Sequence, residues 1–256
     1  MAEEFVKTPT PSDALVEAAN TVSSLLLLTG LYRPGLLIAQ KSTALMKERL
    51  GEWHIDTLYV INTLAKLYKA QGLFDEAEPH YVHALEGRKK ALGKNNIFTL
   101  NSMNNLGTLY KAQGRYDDAE AIYLETFETK IELFGKEHRS TLISMGNLAG
   151  LYKVQKQFDK AEPLYIETLN LREKVLGPRH PDTLVAINSL ATFYTSCKRY
   201  AESEVLLVRV VEDLKRTSGP EHPSTLTAIN SLASLYKLQK QFDKAEPLLL
   251  GVIDAR

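Results

Sequence analysis

The sequence predicts an all-α fold, a solenoid of tandem helix-turn-helix units, and three observations carry that expectation. The pair Thr-Leu recurs at Thr57-Leu58, Thr99-Leu100, Thr141-Leu142, Thr183-Leu184 and Thr225-Leu226, always 42 residues apart and with no insertion. Within one period the apolar residues fall at helical spacing. Each period is broken once in the middle, as at Gln71-Gly72-Leu73, and closed by a glycine. A period of this length means one supersecondary unit copied along the chain, each copy burying its apolar face against its neighbours.

Taken in order, residues 1–11 read as an N-terminal tail and residues 12–51 as a drifted first unit that caps the array. Shifting Asn62, Gly72, Phe74 and Gly93 back by one period lands on Asn20, Gly30, Tyr32 and Gly51. The apolar run Leu25 to Leu28 is too short to span a bilayer. Glu3, Glu4, Asp13 and Glu17 precede it, where a secretory signal would be basic. Five clear units follow, at about 52–93, 94–135, 136–177, 178–219 and 220–256.

In each unit helix A carries a stripe such as Leu58, Ile61, Leu64, Ala65 and Tyr68, and helix B one such as Ala77, Tyr81, Ala84 and Leu85. Asp75 with Glu78, Asp117 with Glu120, Asp159 with Glu162 and Asp243 with Glu246 predict an acidic capping box opening helix B. Pro79, Pro163 and Pro247 are then expected in its first turn, where a missing N–H costs least. Arg88, Lys89, Lys90, Arg172 and Lys174 gather near its other end, where the helix dipole favours cations. Gly51, Gly93, Gly135, Gly177 and Gly219 are expected to take the left-handed conformation that stops helix B, and Pro181 and Pro223 suit the first turn of the next helix A. The fourth clear unit has Ala201 and Ser203 where others have Asp and Ala, and loss of the cap predicts that it is the least stable internal unit. The last unit stops at Arg256 without a polar cap, which reads as a segment of a longer array or an end covered by a partner.

The strings NSLATFY at 188–194, QFDKAEPLY at 157–165 and LREKVLGPRHPDTL at 171–184 closely resemble the tetratricopeptide repeats of kinesin light chains and related repeat proteins, over about residues 54–256. The resemblance implies a right-handed superhelix with A helices lining the concave face and B helices outside, used as a protein-binding adaptor. Kinesin light chains join their heavy chain through a long N-terminal coiled coil, and residues 1–50 carry no sustained heptad pattern. A motor-binding role is therefore not expected.

The chain has 31 basic and 31 acidic residues and is 44% apolar, so it offers no global attraction to nucleic acid. The single cysteine, Cys197, excludes an internal disulfide and suits a reducing, cytoplasmic setting. It stands where Gln71, Gln113, Gln155 and Gln239 stand in other units and reads as repeat drift.

No phosphate loop, paired metal-ligand cysteines, His-Glu-x-x-His or Gly-x-Ser-x-Gly occurs. The expectation is a protein that is not an enzyme, with no cofactor or metal, no membrane span and no small-molecule ligand. His54, His138, His180 and His222 share a column with Asn96. Packed helices lie about 8 to 10 Å apart, whereas a zinc ion needs its nitrogen ligands at about 2 Å. These histidines therefore read as linker or capping residues.

Two polar columns on helix A lack a packing reason. Asn62, Asn104, Asn188 and Asn230 share one slot, and Lys69, Lys111, Lys153 and Lys237 share another nearly two turns later on the same face. By the resemblance that face lines the groove. One reading has the amides pairing with the backbone of an extended peptide while the lysines attract its carboxylates. The other has the asparagines joining neighbouring A helices and the lysines forming a solvated edge. Gly146 replaces Asn in the third clear unit and Thr195 replaces Lys in the fourth, so a ligand should engage some units more than others. The function expected is a non-enzymatic interaction scaffold that binds an extended acidic peptide of a protein partner in its concave groove. The alternative is a structural or regulatory segment of a larger multidomain protein, assembling through its ends or convex face.

Overall fold

The computed structural model describes residues 11–254, so residues 1–10 of the expected tail, and Arg256, lie outside the described residues. These residues form twelve α-helices and no strand: α1 (Pro11–Leu28), α2 (Tyr32–Leu50), α3 (Ile55–Ala70), α4 (Phe74–Leu92), α5 (Ile97–Ala112), α6 (Tyr116–Phe134), α7 (Arg139–Val154), α8 (Phe158–Leu176), α9 (Pro181–Ser196), α10 (Tyr200–Thr217), α11 (Pro223–Leu238) and α12 (Phe242–Asp254). Odd-numbered helices are A helices and even-numbered ones B helices. They group into two compact units, one ending at Thr129 and one beginning at Lys130.

Within each unit consecutive helices pack on one another, and A helices also touch the next A helix, as α1 with α3 and α9 with α11. The buried residues are those of the two stripes: Leu58, Ile61, Leu64 and Ala65 from α3 meet Ala77, Tyr81, Ala84 and Leu85 from α4. One cluster joins Ala77, Tyr81 and Leu85 to Leu100, Met103 and Leu106 of α5, so α4 is shared between its own A helix and the next, and α2, α8 and α10 pack on both neighbours in the same way. Each large apolar side chain buried this way contributes roughly 1.5 to 3 kcal/mol.

The mid-unit turn is a Schellman motif. Gly72 N donates to Lys69 O at 3.0 Å and Leu73 N to Tyr68 O at 3.0 Å, closing the last carbonyls of α3. It recurs with Lys156, Lys198 and Lys240 in the glycine position, at φ 61°, 63° and 60°. The linker after helix B is a different conformation. Gly51, Gly93 and Gly177 lie at φ 88°, 84° and 90° with ψ 159°, 162° and 159°, which only glycine tolerates and which is not the left-handed helical cap expected from the sequence. This explains why lysine has entered the turn column while the closing glycine column is unbroken.

The Thr of every Thr-Leu pair is wholly buried at this linker. Thr99, Thr183 and Thr225 donate their hydroxyls to the carbonyls of Gly93, Gly177 and Gly219 at 2.9, 2.8 and 2.7 Å. Thr57 and Thr141 reach Met46 O and Lys130 O at 3.4 and 3.3 Å. The histidine column caps helix A: the side chains of His54, His138, His180 and His222, and of Asn96, each accept from the backbone N–H two residues on. Pro181 and Pro223 occupy the first turns of α9 and α11.

The capping box is not formed at α4 or α8. The N-cap residues are Leu73, Gln157 and Arg199, none of which makes a side-chain cap bond. Because α4 begins at Phe74, Asp75 lies inside the first turn, Glu78 is past it, and Pro79 removes a backbone bond from the second turn. The glutamates instead reach the next helix pair. Glu78 accepts from Gln113 Nε2 at 2.9 Å and Arg115 Nη1 at 2.8 Å, and the Arg115 guanidinium lies 3.9 Å from the centroid of the Tyr110 ring. Glu162 and Arg199 repeat this over Tyr194. Ala201 therefore forfeits no cap, and the expected weakness of its unit loses its ground. Ser203 is buried there, donates to Ala191 O at 2.8 Å and pairs with Thr195 Oγ1 at 2.7 Å, so two departures from the repeat satisfy each other.

Two stability changes follow from these termini. His138→Ala should lower stability by about 1 kcal/mol in urea denaturation while His138→Asn leaves it nearly unchanged, since Asn96 already fills that role. Lys156→Gly should raise it by about 0.5 to 1 kcal/mol, because relief of left-handed strain exceeds the entropy cost of glycine; a loss would show that the lysine side chain contributes more than its backbone costs.

Candidate peptide-binding face

In the unit ending at Thr129, the candidate residues lie on α3 and α5. Asn62 is 4% exposed and its Oδ1 accepts from Asn105 Nδ2 at 3.0 Å, so in this slot the amide joins neighbouring A helices. Asn104 is buried beside it. Lys69 and Lys111 are half-buried. Burial first, then the charges of Lys111 and Lys66, hold Lys69 below the usual lysine range, and burial with Arg88 does the same to Lys66. Three lysines thus share this face with Arg88 buried beneath it, and no carboxylate contributes to the shift of Lys66 or Lys69.

In the unit beginning at Lys130, Lys153 on α7, Asn188 on α9 and Asn230 on α11 are half-buried and Lys237 is exposed. Burial lowers Lys153, partly opposed by Cys197 nearby. Burial likewise raises the Cys197 thiol, which is therefore not an activated nucleophile. The Asn188 Oδ1 is buried without a hydrogen-bond partner among the described residues. Two hollows open beside these residues. A cavity of about 170 Å³ lies between α7, α8 and α9, lined by Ile143, Gly146, Asn147, Tyr165, Arg172 and Val185 among others. A second of about 440 Å³ lies between α9, α10 and α11, with Leu184, Asn188, Val210, Leu214 and Ala228 in its wall.

The sequence reading missed the residues beneath this face. Arg88, Lys130 and Arg172 share a column, and all three are buried instead of lying at a solvated helix end. Arg88 donates to Ser102 Oγ at 2.6 Å, Lys130 to Ser140 O at 3.4 Å and Arg172 to Asp182 O at 2.6 Å. Each thereby ties a B helix to the start of the next A helix. The signal was present in the spacing, since Arg88 follows Tyr81, Ala84 and Leu85 on one helical stripe. Burial lowers all three, Lys130 to about 8.

Among the described residues no three His, Cys, Asp or Glu side chains gather as they would around a metal ion. None of the described helices is long and apolar enough to cross a membrane.

The chain matches family models described as tetratricopeptide repeat over residues 55–132, 98–153, 141–182 and 182–255. Comparison with curated proteins finds no match. Among solved structures it is similar to the nearly identical TPR-like repeats of a putative kinesin light chain from Podosopora anserina, at 27% identity and TM-score 0.63, over 79% of this chain and 96% of that one. It is also similar to BtubC (BKLC) from P. vanneervenii, at 22% identity and TM-score 0.64, over 94% and 91% of the two chains. A third similarity is to NprR in complex with its cognate peptide NprX, at 17% identity and TM-score 0.71, over 94% of this chain and 66% of that one.

The buried lysine gives a pH dependence. The folded chain holds the Lys130 proton less tightly than the unfolded chain, so stability should rise with pH from about 8 towards 10.5. Lys130→Met, which places the residue of Met46 in this slot, should abolish that rise and add about 1 to 3 kcal/mol at pH 7, read from urea denaturation across pH. Lower stability in the variant would mean that the bond to Ser140 outweighs desolvation.

Proposed function

The chain belongs to the tetratricopeptide repeat family, whose repeats build protein interaction scaffolds, and we propose that it is a non-enzymatic, cytoplasmic adaptor that holds an extended acidic peptide of a protein partner along its A-helix face. The observation that carries this reading is the crowding of Lys66, Lys69, Lys111 and Arg88. Burial and neighbouring cations oppose the charge of half-buried Lys66 and Lys69, and a ligand carboxylate would offset that cost with opposite charge. Lys153 and Lys237 offer the same charge on the second unit, and Asn104, Asn188 and Asn230 supply amides of the kind that pair with an extended backbone. The solved complex of NprR with its peptide supports a peptide as the ligand class. The Asn62 carbonyl is already used between helices.

The test is fluorescence anisotropy with a labelled glutamate-rich peptide and its glutamine counterpart. The acidic peptide should bind, with affinity falling as salt rises. Combined Lys69→Gln and Lys111→Gln should weaken it roughly tenfold, about 1.4 kcal/mol. Equal binding of the glutamine counterpart would overturn the acidic specificity.

A further inference from the structure

The two hollows on the unit beginning at Lys130 exist because two residues depart from their columns. Gly146 stands where Asn62, Asn104, Asn188 and Asn230 stand in other copies, and a Cβ added there would meet nothing within 4 Å. The missing side chain leaves the first hollow open above Arg172. That guanidinium gives one hydrogen to the Asp182 carbonyl at 2.6 Å and has further donors to offer. The carboxylate of Asp182 is already held by Arg139 at 2.8 Å. Desolvation opposes the buried cation more than Asp182 supports it. The walls are apolar, with Ile143 and Val185 exposed at the rim by 43% and 57%.

Leu214 is the second departure, standing in the column of Arg88, Lys130 and Arg172. Ala228 lies in the wall opposite, as Ala186 does beside Arg172. The shorter, uncharged side chain leaves the second hollow with an apolar floor of Leu184, Val210, Leu214 and Ala228. Asn188 lies in its wall, with its Oδ1 buried and without a hydrogen-bond partner among the described residues. Val185 lines both hollows and forms the ridge between them.

We propose that these hollows are adjoining sockets that read two side chains of one bound peptide, an acidic one over Arg172 and an apolar one over Leu214. This rests on the peptide-scaffold reading above and adds the identity and order of the residues recognised. Charge complementarity selects the first occupant, and the volume of about 170 Å³ exceeds the roughly 150 Å³ that accommodates a benzene-sized group. The sockets are separated by the width of α9, about 10 Å. An extended peptide in the polyproline II conformation rises about 3.1 Å per residue and presents the same side every third residue. The acidic and apolar residues should therefore be about three positions apart.

Two substitutions test this by restoring what other copies carry. Gly146→Asn closes the first socket, and replacing a mid-helix glycine should hold or raise stability. Leu214→Arg fills the second and gives it a cation. A random dodecapeptide display library is selected against the wild-type chain and each variant, with folding checked by circular dichroism. Wild-type selections should be enriched in Glu or Asp about three positions from Leu, Ile or Phe. Gly146→Asn should lose the acidic preference and keep the apolar one. Leu214→Arg should exchange the apolar preference for a second acid, and if that variant does not fold the Gly146→Asn result alone decides. Unaltered preferences in a folded Gly146→Asn would overturn the sockets and leave the scaffold reading standing. Failure of the wild-type chain to select any peptide would overturn both.

Discussion

The geometry of each unit rests on the linker between one helix pair and the next. A glycine in a backbone region closed to other residues turns the chain sharply out of helix B. Six residues on, a buried threonine hydroxyl bonds back to that linker or to the B helix before it, while a histidine or asparagine satisfies a free N–H in the first turn of helix A. Turn, clasp and cap are all local, so the start of helix A is held by residues close to it in sequence. The shared B-helix cores and the Glu–Arg–Tyr contacts at pair borders add the longer-range contacts between helix pairs.

Much of this was legible because a repeat lets each position be read several times. The period, the two apolar stripes and the break between them marked each clear copy as a pair of helices joined by a turn. The histidine column was legible as caps, since repeated positions are held too far apart to share an ion. What failed were inferences from local motif alone. Asp75 and Glu78 have the spacing of a capping box, yet the Schellman turn starts helix B earlier, at Phe74. The glutamate is then free to reach Gln113 and Arg115, a contact 35 to 37 residues away that no local pattern announces.

The A-helix face was legible as a set of columns but not as a set of environments. Asn62, Asn188 and Asn230 are one column in sequence. In space one is used between helices, one lines a hollow with its carbonyl oxygen buried, and one is half-solvated. The difference lies in what the neighbouring copies carry, above all Gly146 and Leu214. Reading a site in a repeat array therefore requires the departures from the repeat as much as the repeat itself.

The slot beneath that face holds Met46, Arg88, Lys130, Arg172 and Leu214 in successive copies, two apolar residues and three cations within one backbone geometry. Its neighbours on the stripe supply the packing, so the slot can exchange charge for apolar bulk without moving a helix. For a lineage of such arrays this separates the genetics of recognition from the genetics of folding. Point mutations at one position per copy can rewrite a partner preference socket by socket, while duplication of a unit adds a new socket already in register with the old ones.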